Sequence, residues 1–104
     1  MQRNRGTWWT WLFGTAAKPR RLFTRKVEIA EPVLSLLRTD FTDEDRMEFA
    51  QLLLKLDANP IKHSDRLVVD PPIPGLRWAS FADHKLILVF DPSRNRIRVL
   101  AIEL

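Results

Sequence analysis

The sequence predicts an α+β sandwich: an N-terminal strand, an antiparallel helix pair, then a three- or four-stranded antiparallel sheet, with the helices on one face. Three observations lead there. Apolar residues recur at helical spacing between residues 30 and 58. Beyond "IKHSD", residues 61–65, the spacing changes to period two. Between the two regimes stand Asn59-Pro60 and the rigid loop "PPIPG", residues 71–75, both strong turn signals.

The first element is "RLFTRKVEI", residues 21–29. Phe23, Arg25, Val27 and Ile29 share one face of a half-buried strand, with Arg25 unexpectedly on the apolar side. In "AEPVLSLLR", Pro32 suits a first helical turn, where its missing N–H is not needed. Val33, Leu34, Leu36 and Leu37 then give a short apolar face. The second helix begins in "TDFTDED". Thr42 is placed to cap it, Asp45 follows three residues later, and Asp43, Glu44 and Asp45 complement the positive helix end. Met47, Ala50, Leu53 and Leu54 form its predicted stripe, widened by Phe49, Leu52 and Leu56.

The sheet follows. "RLVVD", residues 66–70, reads as a short strand. "LRWASFA" alternates Leu76, Trp78 and Ser80 against Arg77, Ala79 and Phe81. "KLILVF" is almost wholly apolar, the pattern of a central strand. "DPSRN" is turn chemistry, with Asn95 tolerant of a left-handed backbone. "RIRVLAIEL" alternates Ile97, Val99 and Ala101 against Arg96, Arg98 and Leu100.

The chain has 104 residues, 45% of them apolar, which fits one domain with a modest core. It has no cysteine, so disulfides, thiolate metal sites and a cysteine nucleophile are excluded. Two histidines without recognisable carboxylate spacing offer no metal site, and no cofactor motif occurs. The net charge of +4 is uneven. Residues 1–26 hold seven Lys or Arg and no acid, while the remainder holds ten bases against thirteen acids. Basic-protein arguments for nucleic acid therefore apply chiefly to the N-terminal arm.

Residues 1–20 read as a separate basic arm, and residues 21–104 as the folded domain. The arm's "TWWTWLF", residues 7–13, clusters three tryptophans between basic flanks. It is too short and too interrupted for the apolar region of a good signal peptide. Two readings remain open: a flexible extension, and an interfacial anchor that lays tryptophan and arginine on an anionic membrane surface. A cytoplasmic protein, peripheral to the membrane if the arm anchors, is expected.

"VEIAEPVLSLL", "LLLKLDANP" and "PGLRWASFADHKLILVFDPSRNRIRVLAI", in this order and spacing, resemble the RelE/ParE toxin superfamily of bacterial type II toxin–antitoxin systems. The resemblance covers residues 21–104. It implies a toxin-like component with an antitoxin-like protein partner and, in one branch, an mRNA endonuclease working on the ribosome. It implies that Lys85, in a "DHK" similar to the family's "DYR", and Arg77 on the preceding strand carry charge toward the message. The last strand runs to Ala101-Ile102-Glu103-Leu104, where the family commonly continues Gly-His-Arg or Gly-Lys-Arg.

Cleaving RNA through its 2′-OH needs a base, an acid and cations for the phosphate. His84 is the acid–base candidate because imidazole titrates near neutrality; Lys85 and Arg77 are the catalytic cations. Lys62 and Arg66, beside His63, together with Arg98, are the nucleic-acid-binding candidates. The plainer reading makes His84 a turn residue, and Lys85 and the loop solvated surface. Three functions therefore compete: the nuclease, a non-catalytic binding module of the same fold acting on a protein target such as gyrase, and a membrane-surface protein held by the arm.

Overall fold

The computed structural model describes residues 23–104; the Trp-rich arm and its membrane reading lie outside them. Strand β1 (Lys26–Ile29) runs into helix α1 (Glu31–Thr39), which carries Pro32 in its first turn, where the prediction placed it. Helix α2 (Asp43–Ala58) begins with the capping box foreseen in the sequence. Thr42 Oγ1 accepts from the Asp45 N–H at 3.1 Å, and the Asp45 carboxylate accepts in return from the Thr42 N–H. Together these satisfy two of the backbone donors that every helix start leaves unpaired. Arg46 closes the connection between the helices by donating to the Leu37 and Phe41 carbonyls at 2.8 and 2.7 Å.

Four more strands follow: β2 (Asp65–Arg66), β3 (Leu76–Phe81), β4 (His84–Asp91) and β5 (Arg96–Glu103). Their order in the sheet is β1-β5-β4-β3-β2. The last four strands form the predicted antiparallel meander, but β2 is shorter than expected: of the strand read at residues 66–70 only Arg66 belongs to it, and residues 67–70 are irregular. The first strand joins the same sheet, parallel to β5, so the sheet is mixed and five-stranded. Local periodicity carries no signal for that long-range parallel pairing.

The core lies between the helices and one face of the sheet. Val33 and Leu37 from α1 and Phe49, Leu53 and Leu56 from α2 meet Leu86, Leu88, Ile97 and Val99 in one cluster. Each fully buried leucine or isoleucine there contributes about 2 kcal/mol of transfer free energy. The predicted stripe of α2 is rotated. Met47 and Leu54 are 44% and 41% exposed, because the helix carries more apolar surface than the sheet can cover. A second correction falls in β5. The register passes from Ile87↔Ala101 to Leu88↔Val99, so Leu100 is an extra, bulged residue. A bulge inverts the alternation beyond it: Ala101 turns outward and Ile102 packs against the core.

The misplaced arginine of the first strand also finds its reason. Asp57, 5% exposed in the last turn of α2, accepts from the Thr24 N–H (2.7 Å), the Thr24 hydroxyl (3.0 Å) and the Arg25 N–H (2.7 Å). The Arg25 guanidinium donates back to the Asp57 carbonyl and stands 5.6 Å from the centre of the Phe90 ring. Arg25 therefore ties the entry of β1 to the end of α2.

Candidate functional site

The β3–β4 hairpin decides where the candidate residues go. Its two-residue turn is Ala82-Asp83, both at positive φ (46° and 67°), the backbone that matches the twist of tightly paired strands. Phe81 and His84 therefore face each other directly, and Lys85 faces Ser80. Because side chains alternate along a strand, His84 joins Leu86 and Leu88 on the helix-covered face. Lys85 joins Ile87 and Val89 on the open face.

His84 is built into the core's edge. Its ring stacks on Phe41 at 4.8 Å and lies 5.6 Å from Phe81. Its Nδ1 is buried with no hydrogen-bond partner among the described residues. Lys85 sets its ammonium 4.8 Å from the centre of the Trp78 ring, a cation–π contact worth about 0.5–1 kcal/mol at an exposed site. Glu103 of β5 stands opposite Lys85 on its other side.

Arg77 occupies the strand face opposite to Lys85 and is already committed. It donates to Ser64 Oγ at 2.6 Å and to the Ser64 carbonyl at 2.8 Å, and Ser64 Oγ in turn donates to the Pro60 carbonyl at 2.6 Å. This chain fastens the turn after α2 onto β3. His84, Lys85 and Arg77, the expected catalytic set, are thus not brought together. A two-residue turn forces the first two apart, and the geometry of the 60–64 turn occupies the third.

The three nucleic-acid-binding candidates also separate. Arg98 lies on the open face beside β1, its Nε 3.6 Å from Glu28. Arg96 and Lys26 reach the same carboxylate at 3.6 and 3.8 Å, so three cations crowd one acid. Arg66 pairs across β2 from Arg77 and edges a hollow lined by Leu67, Val68 and Ile73. Lys62 sits at a different pocket, with Lys55 and His63, where β3 runs on past its two-residue partner β2.

Two participants were missed by sequence reasoning. Trp78 carries the signal in its register: a two-residue hairpin at Ala82-Asp83 makes Trp78 a diagonal neighbour of Lys85 across the strands. Lys55 reads simply as a basic residue in a helix's last turn, and nothing local ties it to a loop seven residues on. Among the described residues no three His, Asp or Glu side chains gather as metal ligands, and no helix is long and apolar enough to cross a membrane.

No family model matches the sequence. No curated protein matches it either. Solved structures do. The fold is similar to one in the RelBE2 toxin–antitoxin complex of Mycobacterium tuberculosis, with a TM-score of 0.65 at 12% identity, over 76% of this chain and 95% of that one. It is also similar to a mutant of the E. coli toxin RelE in the free state, with a TM-score of 0.59 at 12% identity, over 76% of this chain and 81% of that one. The chain has a RelE-like toxin fold, as its strand and helix order implied.

Proposed function

We propose that this chain, built on a RelE-like toxin fold, is the toxin-like component of a toxin–antitoxin pair, acting in the cytoplasm and directed at RNA on the ribosome. Its working surface is the open sheet face around Lys85 and Trp78. One observation carries the reading: on a face that no described helix covers, a lysine ammonium and a tryptophan ring stand 4.8 Å apart. Cation and aromatic together are what a single-stranded nucleic acid needs, the one for its phosphate and the other for a stacked base. An antitoxin-like protein that covers this face would silence it, and one of the similar solved structures is a toxin–antitoxin complex.

The mode of action we infer is grip rather than cleavage by a His84–Lys85 pair. An acid–base pair must reach one phosphodiester, and these two side chains leave the sheet on opposite sides. The second reading, a module that grips a protein target, is favoured by a different feature. Arg96 and Arg98 are partly neutralised on Glu28, and Leu100 is 38% exposed on the same side.

Induced expression of the full chain in a bacterial host tests the toxin-like role. Growth arrest that Lys85→Ala or Trp78→Ala relieves, at equal protein level, supports the open face as the working surface. Arrest unchanged by either variant, or no arrest by a folded and soluble product, would remove it.

A further inference from the structure

The pocket at the free edge of β3 is a second basic feature, distinct from Lys85 but bordered by the same Trp78. Its basic residues come from two elements: Lys55 from the last turn of α2, and Lys62 and His63 from the turn that follows it. None of these side chains forms an ion pair or hydrogen bond among the described residues. The cations of β5 and of the turn before it differ, since Arg94, Arg96 and Arg98 all lie within 4 Å of a carboxylate: 3.9 Å for Arg94 to Asp91, and 3.6 Å for each of the others to Glu28. Lys55 and Lys62 line one pocket with no carboxylate paired to either among the described residues. That placement is costly in repulsion unless an anion or solvent screens it.

The strand edge adds a donor. The Leu76 carbonyl accepts from the Leu67 N–H, so Leu76, Trp78 and Ser80 turn their backbone groups toward the β2 side. Strand β2 pairs only as far as Trp78. The Ser80 N–H is therefore left without a strand partner at the pocket, which His63 also lines. Arg77 works behind this wall as a positioning residue. Through Ser64 it fixes the turn that carries Lys62 and His63. One carboxylate, Asp65, also borders the pocket and narrows its choice of anion.

We propose that this pocket binds the phosphate of a nucleotide unit, with Lys55, Lys62 and His63 around the anion, the Ser80 edge donating to it, and Trp78, which borders the same pocket, contacting the attached base. The phosphate belongs to a strand of RNA or to a free nucleotide, and the chemistry is shared by both. The proposal deepens the RNA-directed reading and rests on it for the identity of the strand; phosphate binding itself is separable from it.

Amide and indole NMR of the full-length chain, titrated with inorganic phosphate, then uridine 3′-monophosphate, then a short oligouridylate, tests it. Expected are saturable shifts at Lys62, His63 and Ser80 with all three probes, joined by the Trp78 indole N–H only when a base is attached. Stronger binding of the oligouridylate identifies a strand, and equal binding of the monophosphate identifies a free nucleotide. Lys55→Ala with Lys62→Ala weakens binding about tenfold or more, since a charged hydrogen bond contributes about 1.5–3 kcal/mol. The charge-conserving Lys62→Arg retains it, with an otherwise unchanged spectrum showing that the fold is intact. Shifts confined to residues 1–26, or affinity unchanged in the double variant, would overturn the pocket while leaving the Lys85–Trp78 face standing. Loss of growth arrest in Lys85→Ala with phosphate shifts intact would separate the two surfaces in the opposite sense.

Discussion

His84 and Lys85 are adjacent in the chain and stand on opposite faces of the sheet, the first stacked 4.8 Å from Phe41 and the second 4.8 Å from Trp78. The two residues therefore answer to different assays. His84→Ala removes an aromatic partner from the core's edge and lowers stability by about 1–2 kcal/mol, with open-face binding unchanged in the folded protein. Lys85→Ala leaves the denaturation midpoint nearly where it was and weakens RNA binding. Urea denaturation and RNA titration on the same two variants check both halves.

Asp57 predicts a larger effect away from any site. Its buried carboxylate accepts three hydrogen bonds from Thr24 and Arg25. Asp57→Ala leaves those donors without their partner at the junction of β1 and α2. A loss of about 3 kcal/mol is expected, read as a lower urea midpoint. A loss under about 0.5 kcal/mol would mean the staple is dispensable.

Gly75 admits no side chain. Its φ is +79°, and an added Cβ would lie 2.3 Å from the Phe90 carbonyl oxygen. Its own carbonyl accepts from the Phe90 N–H at 2.9 Å, so neither strand end can withdraw without losing that bond. Gly75→Ala combines left-handed strain with a backbone clash, and about 3 kcal/mol of destabilisation is expected. Thermal melting of the variant measures it.

Much of this was legible in the sequence, for reasons that can be named. The capping box at Thr42 and Asp45, the Pro32 start and the left-handed Asn95 (φ 53°) are local devices whose side chains act within a few residues. What escaped depends on pairing at a distance. The parallel join of β1 to β5 and the bulge at Leu100 leave no mark on periodicity. The site suffered most from one short-range quantity, hairpin length. Read as "FADHKL", the turn holds two, three or four residues, and each choice sends His84 and Lys85 to different faces. Positive φ at Ala82 and Asp83 selects two, with neither the glycine nor the asparagine that usually announces it.

The turn before β5 supplies a pH prediction. The Ser93 hydroxyl donates to Asp91 at 2.7 Å and, with backbone donors and the Arg94 charge, holds the Asp91 carboxyl below its ordinary 3.8 against an opposing desolvation. A depressed carboxyl contributes stability that is present above its unfolded value and is lost as pH falls through the folded one. The effect is therefore confined to the acid side of 3.8. Ser93→Ala raises the Asp91 value toward ordinary, which carboxyl-carbon NMR titration detects. An unmoved titration would place the cause in the backbone donors instead.

The central claim is that the face bearing Lys85 and Trp78 meets RNA on the ribosome and that His84 does not. Co-sedimentation of the full-length chain with mRNA-programmed ribosomes, with the message mapped by primer extension, tests it most directly. The account predicts association weakened about tenfold by Lys85→Ala and unchanged by His84→Gln. Cleavage of the message that is abolished by His84→Gln in a folded protein, or association indifferent to Lys85, would contradict it.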